Sequence, residues 1–513
     1  MILPIFITLI VSALLALIFV PLLSRFVAPR IGLLDQPDDN RKLHRNAIPL
    51  VGGIAVFLSV AITGLLLLGL AQTSLGRDYI LLKPGDLMQY LGLLLGAGFL
   101  LIVGVVDDSK GLRGRQKLIG QIIAASILVA FGYNFDRVVV LGIDINFGVF
   151  SVLMVLFWVL AVVNSINLLD GADGFASTIG IILCCSMATM ALNHPNGRVF
   201  DGLVLLALAG ALAGFLKFNF PPAKAFLGDA GSMLLGFIIA ALAIRCTFKQ
   251  ATAYAFFAPI ALLAIPFFDT GAAIIRRKLT GRSIYSVDRG HLHHSLAKQG
   301  YGPRISLLWV AFLCATTGVG AVISFMYRHA EYALVSIVIV AMVMVLGRLF
   351  GVAEVELISN KAKSILGKGR REQQDFSASA VQLQGNRDWS EVWLELQEFS
   401  DENDLNEITF DINLPWIHES FHAKKRRNNV DRSENSEWHA EVPLIVDGKI
   451  FGRVEIMAER DKDHFAIITN LLKVTSDLEP MLKSKTGVNG VAKSSVSTSN
   501  EATNVSGLSL IHI

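Results

Sequence analysis

The sequence predicts an all-α polytopic membrane protein of about 11 transmembrane helices, followed by a small C-terminal cytoplasmic α/β domain. Three observations predict it. Of the 513 residues, 53% are hydrophobic and only 17% are charged, outside the composition of a soluble globular domain. Apolar stretches long enough to cross about 30 Å of hydrocarbon recur through the first 350 residues. Lys and Arg concentrate in every second loop between those stretches. Membrane lipids are therefore the first partners. The formal charge of +3 is too small to argue for a nucleic acid partner.

The expected spans are 2–23, 49–70, 89–106, 117–132, 149–167, 175–192, 201–218, 231–247, 252–275, 305–326 and 331–349. The first reads as an uncleaved helix rather than a secretory signal. No basic residue precedes its core, no small-x-small site ends it, and Arg25 and Arg30 follow. Between the fourth and fifth, residues 132–148 alternate like a short extracytoplasmic β-ribbon through Val138, Val140, Ile143 and Ile145. Loops after odd-numbered spans carry Arg25, Arg30, Arg41, Lys42 and Arg45, then Lys110, Arg113, Arg115 and Lys117, then Lys217 and Lys224, then a dense set across 276–304. Even-numbered loops carry isolated cations such as Arg77, Lys83, Arg137, Arg198, Lys249 and Arg328. The positive-inside rule then makes the odd loops cytoplasmic, with the N-terminus outside and the C-terminus inside.

Past the last span the composition changes. Residues 351–387 read as a linker whose basic part, 351–372, suits the anionic cytoplasmic leaflet. Residues 388–484 read as the α/β domain, with a helix near 389–402, a strand near 407–412, a hairpin around Asp447-Gly448 and a helix near 464–482. Trp389, Trp393 and Trp416 there read as core or interface aromatics. The tail, 485–513, is rich in Ser, Thr, Asn and Gly and is expected to be disordered. Cys184, Cys185, Cys246 and Cys314 lie in apolar stretches without C-x-x-C spacing, so neither a disulfide framework nor a zinc site is implied.

Every dense polar motif falls in, or at the lip of, an odd-numbered loop, which points to one cytoplasmic site. The first loop holds Gly32-Leu-Leu-Asp35-Gln-Pro37 with Arg41, Lys42 and His44, then Pro49-Leu-Val-Gly52-Gly53. Phosphate-headgroup binding and topological charge with a glycine-mediated helix contact are both open readings. The third loop sets Asp107-Asp108 at a helix end, ahead of Lys110, Arg113, Arg115 and Lys117. Two adjacent carboxylates at a membrane lip are costly unless paired or coordinating a cation, and the basic cluster could neutralise a pyrophosphate.

The fifth loop carries Asn167-Leu-Leu-Asp170-Gly-Ala-Asp173-Gly174. If helical, Asn167, Asp170 and Asp173 share one face, an oxygen set that suits Mg²⁺ or Mn²⁺ better than zinc; helix capping is the plainer alternative. In the seventh loop, Phe226-Leu-Gly228-Asp229-Ala-Gly231-Ser232 opens a helix and is either a cap or a set of free N–H groups for phosphate. The ninth holds Pro266-Phe-Phe-Asp269, then Asp288-Arg289-Gly-His291-Leu-His293-His294. His291 and His293 are expected to diverge on a strand or a helix, so phosphate binding or proton sharing beside Arg289 is preferred to zinc. Oxygen ligands, anion clamps and a membrane location together point to metal-assisted phosphoryl transfer.

Together the motifs Asp107-Asp108, Asn167-Leu-Leu-Asp170-Gly-Ala-Asp173-Gly, Phe226-Leu-Gly-Asp229 and His291-Leu-His293-His294 resemble, in order and wording, the polyprenyl-phosphate N-acetylhexosamine 1-phosphate transferase family. The resemblance covers about residues 1–350. It implies a multi-pass enzyme of the bacterial inner membrane that moves a sugar 1-phosphate, GlcNAc-1-phosphate first among the candidates, from a UDP-N-acetylhexosamine to polyprenyl (undecaprenyl) phosphate. UMP is released. A homodimer is left open. The branch transferring phospho-muramoyl-pentapeptide carries three consecutive histidines where this chain has His291-Leu-His293-His294.

Carried over, the resemblance implies that Asp229 and Asn167 hold Mg²⁺, that Asp173 and Phe226 bind uracil, and that Lys117 binds pyrophosphate. Arg289, His291, His293 and His294 match a second anion clamp, with His291 also counted among the catalytic groups. Asp107 and Asp108 match the catalytic pair, and Asp170 a further catalytic acid. A secondary transporter is the alternative from another class. It would place its acids at bilayer midplanes within matching halves, whereas here they cluster at cytoplasmic lips without a repeat.

Overall fold

Long runs of Leu, Ile, Val and Ala with few charges build helices here because backbone amides inside a bilayer must be satisfied within their own segment. Helix α1 (Ile2–Phe26) and the single turn α2 (Ala28–Ile31) lead through a two-residue ladder, β1 (Leu34–Asp35) against β2 (Ile48–Pro49), into α3 (Gly52–Ala71). Then come α4 (Asp86–Lys110), α5 (Gly114–Ala130), an antiparallel ribbon of β3 (Arg137–Val140) and β4 (Ile143–Asn146), and α6 (Ser151–Leu169). Helices α7 (Phe175–Leu192), α8 (Val199–Asn219), α9 (Gly228–Cys246), α10 (Ala253–Leu262), α11 (Ala264–Leu279), α12 (Leu292–Lys298), α13 (Pro303–Tyr327) and α14 (Ala330–Leu346) follow. The computed structural model describes residues 2–35, 47–73, 76, 82–83, 85–134, 137–140, 143–195, 197–247, 252–279, 290–347, 349, 376–384, 387–414, 419–427, 437–446, 449–460 and 463–486.

Among the described residues, 8 helices are long and apolar enough to cross a membrane, or 9 if α10 and α11, bent by 69°, form one broken span. Reaching 11 requires also counting α5 and α14, of 17 residues each. At 1.5 Å per residue those rise only about 26 Å, short of the hydrocarbon thickness. Pro266 explains the bend: lacking an N–H, it cannot bond back to the carbonyl of Leu262.

Small residues set the helix contacts. A Cβ on Gly210 or Gly214 of α8 would come 2.4 Å from the Leu9 or Ala13 carbonyl of α1, so backbones touch where Gly allows it. The end of the bundle opposite the polar motifs is tied by ions. Arg245 at the end of α9 is buried, with its guanidinium 2.6 Å from Asp201 and 2.9 Å from Asp86, and Tyr90 donates to Asp201 at 2.7 Å.

The chain divides into two compact units, Met1–Ile275 with Ser283–Gly351, and Arg276–Arg282 with Val352–Ile513. The second contains a five-stranded antiparallel sheet in the order β5-β7-β6-β9-β8. Its strands are β5 (Phe376–Gln384), β6 (Glu407–Leu414), β7 (Glu419–Arg427), β8 (Glu437–Val446) and β9 (Lys449–Glu459). Helices α15 (Ser390–Glu402), α16 (His464–Asp477) and α17 (Glu479–Thr486) accompany them. Trp389 and Trp393 are buried in this unit's core with Phe410, Ile412 and Leu471. Strand β5 corrects the expectation that 351–387 is all linker. Its neighbour β7, Glu-Ser-Phe-His-Ala-Lys-Lys-Arg-Arg, is hydrogen-bonded on both sides, to β5 and β6. The single helix expected over 464–482 is two, broken at Leu478 just ahead of Pro480. Trp416, the Asp447-Gly448 turn and the tail beyond 486 lie outside the described residues.

Candidate active site

Helices α3, α5, α7 and α9 begin where α4, α6 and α8 end, so the polar motifs of the first unit meet at one end of its bundle. Glycine makes the meeting close. A Cβ on Gly104 would lie 2.3 Å from the Ala230 Cα, and one on Gly53 would lie 2.4 Å from the Gly231 nitrogen. The Gly52 and Gly53 amides donate to the carbonyls of Phe226 and Leu227 at 3.0 Å, and the Phe226 amide donates to Pro49 O at 2.9 Å. The first-loop motif thus pins the start of α9, which favours the helix-contact reading of Gly52-Gly53.

Asp108 reaches from α4 to cap that start. Its Oδ1 accepts from the Asp229 amide at 2.8 Å and its Oδ2 from the Ala230 amide at 3.1 Å. Gly228, with φ +73°, makes the turn, and any side chain there would meet Asp108 Oδ2 at 2.5 Å. Of the two readings of this helix end, Asp108 decides for a cap at these two positions, because it already holds both amides.

Asp107, one residue earlier, faces elsewhere and is buried. Its Oδ1 accepts from the Leu112 amide at 2.7 Å, and its Oδ2 contacts the Lys117 ammonium. Lys117 also donates to Asp229 Oδ2 at 2.7 Å. Asn167, from the end of α6, donates to Asp229 Oδ1 at 2.6 Å and to Ser232 Oγ at 2.8 Å. Three motifs strung along the chain from Asp107 to Asp229 therefore share one cluster.

The shared helical face expected for Asn167, Asp170 and Asp173 does not form. Helix α6 ends at Leu169, Asp170 is its C-cap, and the chain turns through Gly171 and Gly174, the latter at φ +75°. Burial, and next the negative fields of Asp229, Asp108 and Asp173, push the Asp170 carboxyl well above the usual carboxylate range. Asp173 instead turns to the seventh loop, accepting from the Ala223 amide at 2.9 Å. Asn219, which the sequence reading missed, joins the same two loops. It accepts from the Gly174 amide at 3.1 Å and Ser177 Oγ at 2.9 Å, and donates to Ala225 O at 3.0 Å. Its only signal was an amide at the end of an apolar span.

The histidines do not diverge as expected. His291 is extended (φ −68°, ψ 155°) as the N-cap of α12 while His293 lies in its first turn, so their rings run parallel at 6.1 Å. His293 packs beside Gly171, where a Cβ would come 3.1 Å from its Cε1, and its ring centroid is 4.1 Å from that of His294. Burial, then the neighbouring His294, pushes the His293 imidazole down to about 3. The second missed residue is Asp269, fully buried and 2.7 Å from His291 Nδ1. An acid inside an apolar stretch was its signal. Phe226 is half-buried on the pinned segment, and Arg289 lies outside the described residues.

The donor set fits a hard divalent cation. Carboxylates of Asp107 and Asp229 converge on one point of positive charge, now the Lys117 ammonium. Among the described residues no three His, Cys, Asp or Glu side chains are grouped to hold a metal by themselves. Mg²⁺ seldom needs that, since one or two carboxylates with substrate phosphates and water complete its shell. Chemically the site can hold a diphosphate against cations with carboxylates in reach.

Comparison with known proteins identifies the family. The model of Glycosyl transferase family 4 matches residues 90–247. A probable undecaprenyl-phosphate N-acetylglucosaminyl 1-phosphate transferase of Bacillus subtilis is 33% identical over 316 residues, covering 61% of this chain and 83% of that protein. Decaprenyl-phosphate N-acetylglucosaminephosphotransferase of Mycolicibacterium smegmatis is 30% identical over 332 residues, 61% of this chain and 80% of that protein. A phospho-N-acetylmuramoyl-pentapeptide-transferase of Clostridium beijerinckii is 29% identical over 299 residues, 56% of this chain and 86% of its own length.

Proposed function

We propose, from the premise that this chain belongs to glycosyl transferase family 4 and its polyprenyl-phosphate N-acetylglucosamine 1-phosphate transferases, that it transfers GlcNAc-1-phosphate from UDP-GlcNAc to a polyprenyl phosphate. The observation that carries this reading is the Lys117 ammonium set between Asp107 and Asp229, with Asp108 on the Asp229 amide.

A phosphate oxygen of the lipid attacks the β-phosphorus of the donor. The bond from that phosphorus to the bridging oxygen breaks, and UMP leaves with the electron pair. Asp107 and Asp108 stand where the lipid phosphate would be held and freed of its proton. Lys117 offers positive charge to the pyrophosphate as charge grows on the leaving oxygen. His293, beside the acidic loop, and His294 are suited to donate to phosphate and His291 to share a proton, while Asp173 and Phe226 lie on the neighbouring loop pair suited to the uracil. Asp229 and Asp107, with Asn167 at their side, would hold Mg²⁺ (or Mn²⁺). That ion supplies Lewis-acid neutralisation of the diphosphate. The basic loops support a cytoplasmic site on an inner membrane.

Purified full-length protein given UDP-GlcNAc, undecaprenyl phosphate and Mg²⁺ is expected to release UMP, and Asp229→Asn to lose on the order of 100-fold or more in rate while staying folded. No UMP from wild type, or near-normal turnover by Asp229→Asn, refutes the reading. Chelation with EDTA is expected to stop the reaction, and unchanged UMP release in EDTA would remove the metal from it.

A further inference from the structure

Asp269 plays no part in the reaction as written above, yet it is the acid the fold buries most completely near the site. It sits on α11 just past the bend, after Pro266-Phe267-Phe268, at 0% exposure. Both of its oxygens go to consecutive residues at the start of α12. Oδ1 accepts from the Leu292 amide at 2.8 Å, which fixes the backbone, and Oδ2 lies 2.7 Å from His291 Nδ1, which fixes the ring. A carboxylate can only accept, so the proton of this bond belongs to His291 Nδ1. Nε2 is then the nitrogen left for anything else. The His291 ring in turn lies parallel to His293 at an interplanar angle of 3°, and His293 abuts Gly171 between Asp170 and Asp173. One buried carboxylate therefore sets the register of the histidines against the acidic loop. A backbone cap alone would need only one of its oxygens.

We propose that Asp269 is a positioning residue, which locks His291 as the Nδ1–H tautomer so that Nε2 is presented to the substrates as a proton acceptor. The second half of this statement rests on the reaction assigned above. Asparagine at 269 separates shape from proton placement. Its carbonyl oxygen can still accept from the Leu292 amide, but its NH₂ would face Nδ1, which must then accept, and the ring proton moves to Nε2.

The test uses full-length protein labelled with ¹⁵N-histidine in detergent, with the His291 resonances assigned by their loss in His291→Gln. Wild type is expected to show a protonated Nδ1 and an unprotonated Nε2 at His291, and Asp269→Asn the reverse. In the UMP-release assay, Asp269→Asn is expected to lower kcat on the order of 100-fold with little change in donor KM. Asp269→Asn added to His291→Gln should cost nothing further, and Asp269→Glu, which restores a carboxylate, should recover part of the rate. An Nε2–H tautomer in wild type overturns the proposal without any change at Asp269. So does wild-type kcat in Asp269→Asn, or a loss that adds in full to that of His291→Gln. Wild-type protein that releases no UMP overturns the reaction and the role of Nε2 with it, while the spectrum judges the Asp269–His291 pairing separately.

Discussion

Adjacent residues in this site do unlike work. Asp107 and Asp108 differ by one position, yet one holds Lys117 and the other caps α9. As a motif the pair was legible, because two carboxylates at a membrane lip need a reason to be there. Their division of labour was not, since it depends on which neighbour each rotamer meets. His293 offers a test at this scale. Its imidazole is held neutral, pushed down to about 3, whereas an unfolded chain would protonate it near 6.5. The unfolded state then binds more protons below that value, so stability is full above about pH 6.5 and is lost as pH falls toward 3. At pH 5 the loss amounts to roughly 2 kcal/mol. His293→Phe is expected to flatten the fall of Tm between pH 7 and pH 5 relative to wild type, measured in detergent. An equal slope in both proteins would show that another group titrates there.

Helix ends decide what those residues can reach. The spacing of Asn167, Asp170 and Asp173 fits a helical face, but α6 ends at Leu169 with Asp170 as its C-cap, and Asp173 turns to Ala223 instead. Periodicity alone does not tell whether a helix continues past a polar stretch, whereas the backbone does once it is known. Contact between α4 and α9 rests on Gly104, which lets the Asp107-Asp108 end approach Asp229. Gly104→Ala would push a Cβ to 2.3 Å from the Ala230 backbone, and overpacking of this sort costs about 1–3 kcal/mol. Thermal unfolding and UMP release should both fall in Gly104→Ala. Gly64→Ala, where a Cβ meets nothing within 4 Å, should leave both unchanged. A silent Gly104→Ala would mean the helices can separate without cost to the site.

At the level of the molecule, the cluster of Asp107, Lys117, Asn167 and Asp229 lies wholly within the first unit, and the second has its own apolar core around Trp389, Trp393 and Phe410. A chain ending after residue 372 is therefore expected to keep UMP release within about threefold of full length in the same assay, as separable domains do. A larger loss would give the second unit a part in catalysis. Much of the architecture was readable without coordinates. Apolar run length and loop charge are properties of contiguous residues, so a multi-pass helical chain with its polar motifs on alternate loops follows from the order of amino acids alone. The motif set, with its spacing, likewise pointed to the family. Tertiary structure decided the rest: that Asp108 closes the start of α9, that His291 and His293 lie parallel, that Asn219 and Asp269 bond to the polar loops, and that 376–384 is a strand. Each of these depends on contacts between segments far apart in the chain. Such contacts are set by where glycines let backbones touch and where buried acids find donors, and no local pattern records that.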